Sequence, residues 1–165
     1  MKVLLAIATA GLLLFGVARW SDGPLGIVAG GPLTSGPLLA SEGVDFSFAA
    51  DLDTIEFQLI EPPRSRKTWV ILHDGSLFVP AGFMNLPIWK KWPHEASKDG
   101  RAIVRIEGIR YPIQLKRVED RKTWQRVGLL AAHKYNLEAA DFGADPSAED
   151  WDRFWVFKLS PRPMD

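Results

Sequence analysis

Alternation of apolar and polar residues is the feature that most constrains this chain. In residues 53–60, DTIEFQLI, the side chains of Ile55, Phe57 and Leu59 fall on one face and polar side chains on the other. This period of two is typical of a half-buried strand. The dipeptide Asp74-Gly75 then separates two apolar, β-rich runs, and both residues tolerate the positive φ of a tight turn. The sequence therefore predicts strands over 53–60, 67–73 and 76–80.

A second hairpin is predicted farther along the chain. RAIVRIEG and IRYPIQLKRV alternate in the same way and meet at Glu107-Gly108, and RFWVFKL predicts a last strand over 153–159. A short helix is expected to begin near Pro93 and end at Gly100, and a longer one to cover 122–138 behind an Asp120 N-cap. The acidic stretch between the longer helix and the last strand is expected to be a polar loop. The predicted fold class is mainly β (α+β), a small antiparallel barrel with short helices.

The first twenty residues follow different rules. MKVLLAIATAGLLLFGVARW has sixteen uncharged residues between Lys2 and Arg19. As a helix they would be about 24 Å long, somewhat short of a hydrocarbon core of roughly 30 Å. A charge at Arg19 disfavours a cleavage site, so we expect an N-terminal hydrophobic helix that anchors the chain in a membrane, with a cleaved signal peptide as the alternative. The domain is then expected on the extracytoplasmic side.

Three Gly-Pro-Leu repeats follow the apolar segment. They begin at residues 23, 31 and 36, and this spacing of glycine and proline excludes a long regular element. The stretch is too apolar for a solvated linker, so it is expected to lie on a membrane interface or against the domain. The predicted organisation is an anchor or signal over 1–20, a connector over 21–44 and one domain over 45–165.

Composition narrows the possible functions. Twenty basic and twenty acidic residues balance, so there is no overall positive field to attract nucleic acid, and the absence of cysteine excludes disulfides and thiolate metal sites. The three histidines, His73, His94 and His133, are scattered without ligand spacing, and no metal site is expected. Seven tryptophans and nine phenylalanines can supply a core or an aromatic pocket.

Two segments carry a resemblance to a known family. SKDGRAIVRIEG at 97–108 and KLSPR at 158–162, together with the order of the predicted elements, resemble the FMN-binding split β-barrel superfamily. That superfamily includes pyridoxamine-phosphate-oxidase-like and deazaflavin-dependent nitroreductase-like proteins. The resemblance covers residues 50–160 and implies an antiparallel split barrel, a homodimer and an oxidoreductase of unknown substrate.

The resemblance also implies a cofactor site. Phosphate would be held by Arg66 or Lys67 on a strand and by Lys90 or Lys91 in the loop that enters the short helix. The implied cofactor is FMN or a deazaflavin (F420); haem ranks below these, and a chain without cofactor is the remaining alternative.

The residues themselves point to the same region. Cationic side chains bind phosphate or carboxylate, and tryptophan faces stack on flat rings. His94 is either an axial haem ligand, a proton donor near a flavin, or a surface histidine beside Glu95. The candidate cofactor-binding residues are Arg66, Lys67, Thr68, Trp69, Trp89, Lys90, Lys91, Trp92 and His94. The competing interpretation is a non-catalytic binding or structural module of the same fold, with tryptophans in the core and solvated lysines.

Overall fold

The computed structural model describes residues 2, 9, 11, 16–82, 84, 90–138 and 147–164 of the chain. Its strands are β1 (Thr54–Leu59), β2 (Ser65–Trp69), β3 (Ile71–His73), β4 (Ser76–Ala81), β5 (Arg101–Ile106), β6 (Ile109–Arg117) and β7 (Trp155–Pro161). Its helices are α1 (Trp92–Lys98), α2 (Arg121–Tyr135) and α3 (Ala148–Arg153), and a 3-10 helix covers Phe46–Asp51.

The seven strands form one curled antiparallel sheet. They lie in the order β2-β1-β5-β6-β7-β4-β3. The two strands at the ends of this order, β2 and β3, are separated along the chain by Val70 alone, which is fully buried. The sheet therefore curls until its ends meet at Val70, and the antiparallel barrel with short helices predicted from the sequence is confirmed.

Both predicted hairpin turns are present. Asp74 and Gly75 have φ of 46° and 68°, and Glu107 and Gly108 have φ of 49° and 81°. Positive φ at both central residues matches the right-handed twist of the flanking strands. The turns thereby fix the register of β3 with β4 and of β5 with β6.

The core has two parts. One fills the barrel, where inward side chains such as Phe57, Val104 and Phe157 are at most 1% exposed. The other lies between the barrel and α2, where Trp124, Val127 and Val156 pack together. The apolar side of α2 therefore packs on the outer surface of the barrel and covers it.

The helix predictions are partly confirmed. The long helix starts behind Asp120, which accepts a hydrogen bond from the Thr123 N–H, but it ends at Tyr135 because Asn136 adopts a left-handed conformation (φ 53°). The predicted acidic loop is wrong in part. Ser147 and Asp150 form a reciprocal capping box that begins α3.

The Gly-Pro-Leu segment lies against the domain. Leu33 is 2% exposed, Leu39 N–H donates to the Arg110 carbonyl at 2.9 Å, and the Leu33 N–H donates to the Gln58 side chain. Of the two locations expected for this segment, the structure shows contact with the barrel.

The hydrophobic helix predicted for residues 1–20 falls largely outside the described residues. Among those that are described, no helix has both the length and the apolar character needed to cross a bilayer.

Candidate functional site

The barrel wall is split between β2 and the second half of β4. The pairing of β3 with β4 ends at Ile71 opposite Phe78, so residues 79–81 of β4 pair with β7 along one edge while their other edge faces β2. In the described part of the chain, β2 pairs with β1 along one edge and with no named strand along the other. Two strand edges therefore face each other across a gap.

The backbone of β2 presents hydrogen-bonding groups to this gap. The Ser65 carbonyl accepts from the Gly30 N–H at 3.0 Å, and the Ser65 N–H donates to the Gly31 carbonyl at 3.2 Å, so Ser65 turns its backbone away from β1. Residues of an antiparallel strand alternate between neighbours, so Lys67 and Trp69 turn the same way. The N–H and C=O groups of both residues consequently point into the gap.

Pro80 explains why the gap stays open. Its nitrogen lies on the edge of β4 that faces β2, where an ordinary residue would offer an N–H to close the sheet. Proline has no N–H, and it is confined to such unpaired edges for that reason. The split is therefore a consequence of the sequence, and the Pro80 carbonyl joins the groups that line it.

A cleft of about 750 Å³ occupies the split. Its volume is in the range of about 300 to 1,000 Å³ that is usual for small-molecule sites. Among the residues that the structure describes, the lining is mostly apolar and includes three cations, Lys67, Lys90 and Arg153, with two acids, Glu138 and Asp150. Asp150 accepts from the Ser147 N–H and hydroxyl in the α3 cap and keeps its charge, so three positive charges stand against two negative ones among the described lining residues.

Lys90 is the most constrained of these cations. Its Nζ donates to the Gly82 carbonyl at 3.1 Å, and burial lowers the pKa of its ammonium group. Gly82 lies directly after β4, so this contact places the lysine charge on the β4 side of the split. Arg153, at the end of α3, contributes a second charge, and its carbonyl accepts from the Met84 N–H at 2.9 Å.

Trp69 forms an aromatic wall of the cleft. Its ring stacks on Tyr135 with centroids 4.4 Å apart and planes 11° apart, yet it remains 40% exposed. The Tyr135 hydroxyl accepts from the Val70 N–H at 2.9 Å, and burial raises its pKa to about 12. Tyr135 is therefore a fixed, neutral support that holds the indole in place.

Lys134 fixes the same corner from behind. Its Nζ donates to the carbonyls of Ala50, Leu52 and Val70 at 2.7, 2.7 and 3.0 Å. These bonds join α2 to the end of the 3-10 helix and, through Val70, to the junction of β2 and β3. The aromatic wall thus rests on a rigid part of the fold.

The cleft brings together four of the nine predicted site residues. Lys67, Thr68, Trp69 and Lys90 line it. Trp89 lies outside the described residues.

The other four predicted residues lie elsewhere. Trp92 is 6% exposed and packs in the core, with its ring centroid 4.9 Å from Phe57. Lys91 is exposed at the start of α1, and His94 is exposed with its ring against Trp155. Arg66 points to the barrel interior, because it lies opposite the inward-facing Phe57, and burial lowers the pKa of its guanidinium to about 10 although nearby Glu95 opposes this.

Sequence reasoning missed several lining residues. Arg153 and Phe154 lie at the end of α3, and the capping pattern Ser147-x-x-Asp150 was the signal for that helix. Gly26 and Ile27 come from the segment interpreted as a connector. No local pattern could have placed them beside β2, because their position depends on long-range hydrogen bonds.

Comparisons with known proteins find solved structures with a partly similar fold, and no match by sequence. A scan against protein families and a search of curated proteins both find no match. A Listeria innocua protein provisionally described as a pyridoxamine 5'-phosphate oxidase is 18% identical, with a TM-score of 0.47 over 67% of this chain and 83% of its own. The conserved hypothetical protein Rv2991 from Mycobacterium tuberculosis is 11% identical, with a TM-score of 0.43 over 70% and 77%. The curled antiparallel sheet of seven strands agrees with the fold class predicted from the sequence.

Proposed function

We propose that this chain binds a flat, anionic redox cofactor of the flavin or deazaflavin type in the cleft between β2 and β4, and that it acts there as an oxidoreductase. The observation that carries the proposal is the meeting, in one split, of an unpaired strand edge, three cationic side chains and an exposed indole. Each of these three features suits a different part of such a cofactor.

The cations suit its phosphate. Lys67, Lys90 and Arg153 reach the same cleft from β2, from the loop before α1 and from α3. Charge-assisted hydrogen bonds from lysine and arginine are the usual way to hold a phosphate. Lys90 has a further donor hydrogen besides the one given to Gly82, because an ammonium group carries three.

The strand edge and the indole suit its ring. The N–H and C=O groups of Lys67 and Trp69 alternate along the free edge of β2, so this edge can donate to the carbonyl groups of a heterocycle and accept from its N–H group. Trp69 offers a face for stacking. When bound, the cofactor supplies the hydride or electron chemistry, and these residues bind and orient it. The homodimer and the membrane attachment stay predictions.

A titration of the full-length chain tests the proposal. FMN and the deazaflavin F420 are added separately, and binding is followed by cofactor absorbance and fluorescence. We expect one of them to bind saturably. Its affinity should be roughly 10-fold or more lower in Lys90→Ala, because this variant loses one charge-assisted hydrogen bond, which contributes about 1.5 to 3 kcal/mol. Lys67 is exposed, so Lys67→Ala should have a smaller effect.

Lys98→Ala is the matched control. Lys98 is an exposed lysine at the end of α1 and does not line the cleft. Lys98→Ala removes the same charge as Lys90→Ala, but outside the cleft, so cofactor binding should be unchanged. If neither cofactor binds the wild-type chain, or if Lys98→Ala weakens binding as much as Lys90→Ala, the proposal is wrong and a module without cofactor is favoured.

A further inference from the structure

A small turn from the N-terminal segment stands at the cleft. In Leu25–Val28, which we call the finger, the Leu25 N–H donates to the Val28 carbonyl at 3.1 Å and the Val28 N–H donates back to Leu25 at 3.0 Å. Gly26, at the tip, has φ of 60°, which the turn requires and glycine adopts without strain. The reciprocal hydrogen bonds make the finger a closed two-residue hairpin.

The base of the finger is tied to the barrel. Gly30 and Gly31 exchange backbone hydrogen bonds with Ser65 of β2, and the Ser65 hydroxyl also donates to the Gly31 carbonyl at 2.6 Å. At Gly30 the chain passes so close to Gly23 that an added Cβ would lie 1.8 Å from the Gly23 carbonyl oxygen. The finger is therefore held in place beside the split instead of trailing in solvent.

Ile27, at the tip, is fully exposed although it lines the cleft. Trp69 from β2 and Leu137 after α2 line the same cleft and are 40% and 38% exposed. These three apolar side chains come from distant parts of the sequence, and exposed apolar side chains that line one cleft are typical of a ligand-binding surface. Lys90 is half-buried, whereas the apolar side chains are exposed and stand with Lys67 and Arg153 at the mouth of the cleft.

We infer that the finger is a specificity wall, and that Ile27 together with Leu137 selects a substrate with a neutral, apolar substituent. This inference rests on the proposed function, in which the cations take the cofactor phosphate and the mouth of the cleft remains for the substrate. Ile27 acts by contact with the substrate and has no role in holding the cofactor.

A homologous series of ligands tests this wall. Methyl, ethyl, propyl and butyl 4-nitrobenzoate are titrated calorimetrically into the full-length chain, with and without FMN. In the wild type each added methylene should strengthen binding by up to about fourfold, the value for burial of one CH₂. In Ile27→Ser the increase per methylene should fall markedly, while the affinity for FMN stays within about twofold of wild type.

Leu39→Ser is the control. Leu39 is 46% exposed and does not line the cleft, so its replacement should leave the dependence on chain length unchanged. Neither change removes a buried side chain, so both variants should fold. An equal gain per methylene in wild type and Ile27→Ser, or no ester binding at all, would overturn the inference. Failure of both FMN and F420 to bind, with an intact ester series, would instead overturn the proposed function alone.

Discussion

The barrel and the N-terminal segment over residues 21–41 are held by different forces. The barrel is held by apolar side chains that alternate into one core, and its strands pair in continuous registers. The segment has no long regular element and is held by backbone groups, a few small side chains and one charged cluster. The comparison teaches that a stretch with no secondary-structure signal can still be part of the fold and can supply a wall of the site.

The charged cluster, which we call the clasp, joins the two regions. Arg105 on β5 donates from Nε to Glu56 on β1 at 2.7 Å and from Nη1 to Asp22 at 2.9 Å. Asp22 also accepts from the Thr34 N–H at 2.6 Å and from the Ser35 hydroxyl. The Arg105 side chain is 11% exposed, so the clasp is partly shielded from water. Both ends of the segment are fixed, since Ser41 donates to the Pro112 carbonyl at 2.5 Å.

The largest expected effect is in the barrel. Phe57→Ala removes a ring that is 1% exposed and packs on Trp92, so the free energy of unfolding should fall by about 3 to 5 kcal/mol. Urea unfolding followed by circular dichroism measures this. Phe48→Ala is the control, because Phe48 is 43% exposed and should cost about 1 kcal/mol or less. Equal losses in the two variants would contradict the assignment of the core.

A glycine in the segment should give the next effect. Gly30→Ala places a methyl group against the Gly23 backbone. The chain must shift to remove this clash, and the free energy of unfolding should fall by about 1 to 3 kcal/mol. Hydrogen exchange by mass spectrometry should show faster exchange in the peptide over residues 21–36 and at its partner Ser65 in β2, with the peptides of β4 to β7 unchanged. Gly16→Ala, where the new Cβ would meet no described atom within 4 Å outside its own helix, should change neither. Unchanged exchange in Gly30→Ala would mean that the segment is not docked as described.

The same contrast explains what the sequence could predict. Strands with period two and turns such as Asp74-Gly75 are local signals, and the predicted strands over 53–60 and 76–80 match β1 and β4 within a residue or two. The position of residues 21–41 depends on contacts such as Asp22 with Arg105, 83 residues apart, for which no local pattern exists.

In the site, Lys67 and Trp69 are predictable from their strand. Trp92 was predicted to contact a ligand but is a core residue, because sequence alone does not give the face that a helix buries.

Removal of the clasp should have a smaller effect. Arg105→Ala leaves the Asp22 and Glu56 carboxylates without their shared partner, and after allowance for their partial exposure we expect a loss of about 1 to 2 kcal/mol. Exchange should quicken in the peptide over 21–36. Arg101→Ala is the control, since the carboxylate of Asp99 that it pairs with is 38% exposed and such surface pairs contribute about 1 kcal/mol or less. If the two variants lose the same stability, the clasp has no special role.

The smallest expected effect is a dependence on acid that is local to the clasp. Burial by itself would raise the pKa of the Asp22 carboxyl, but hydrogen bonds from Ser35, Thr34 and Arg105 outweigh it and hold the pKa well below its usual value of 3.8. A carboxyl whose pKa is lower in the folded state stabilises that state above its unfolded pKa, and this stabilisation is lost as pH falls below about 4. At pH 6 the amide hydrogens of the peptide over 21–36 should therefore exchange more slowly in the wild type than in Asp22→Asn. At pH 3 this difference between the two proteins should be smaller. Asp120→Asn, which alters the cap of α2, should leave that peptide unaffected. A difference that stays constant from pH 6 to pH 3 would show that the Asp22 charge does not hold the segment on the barrel.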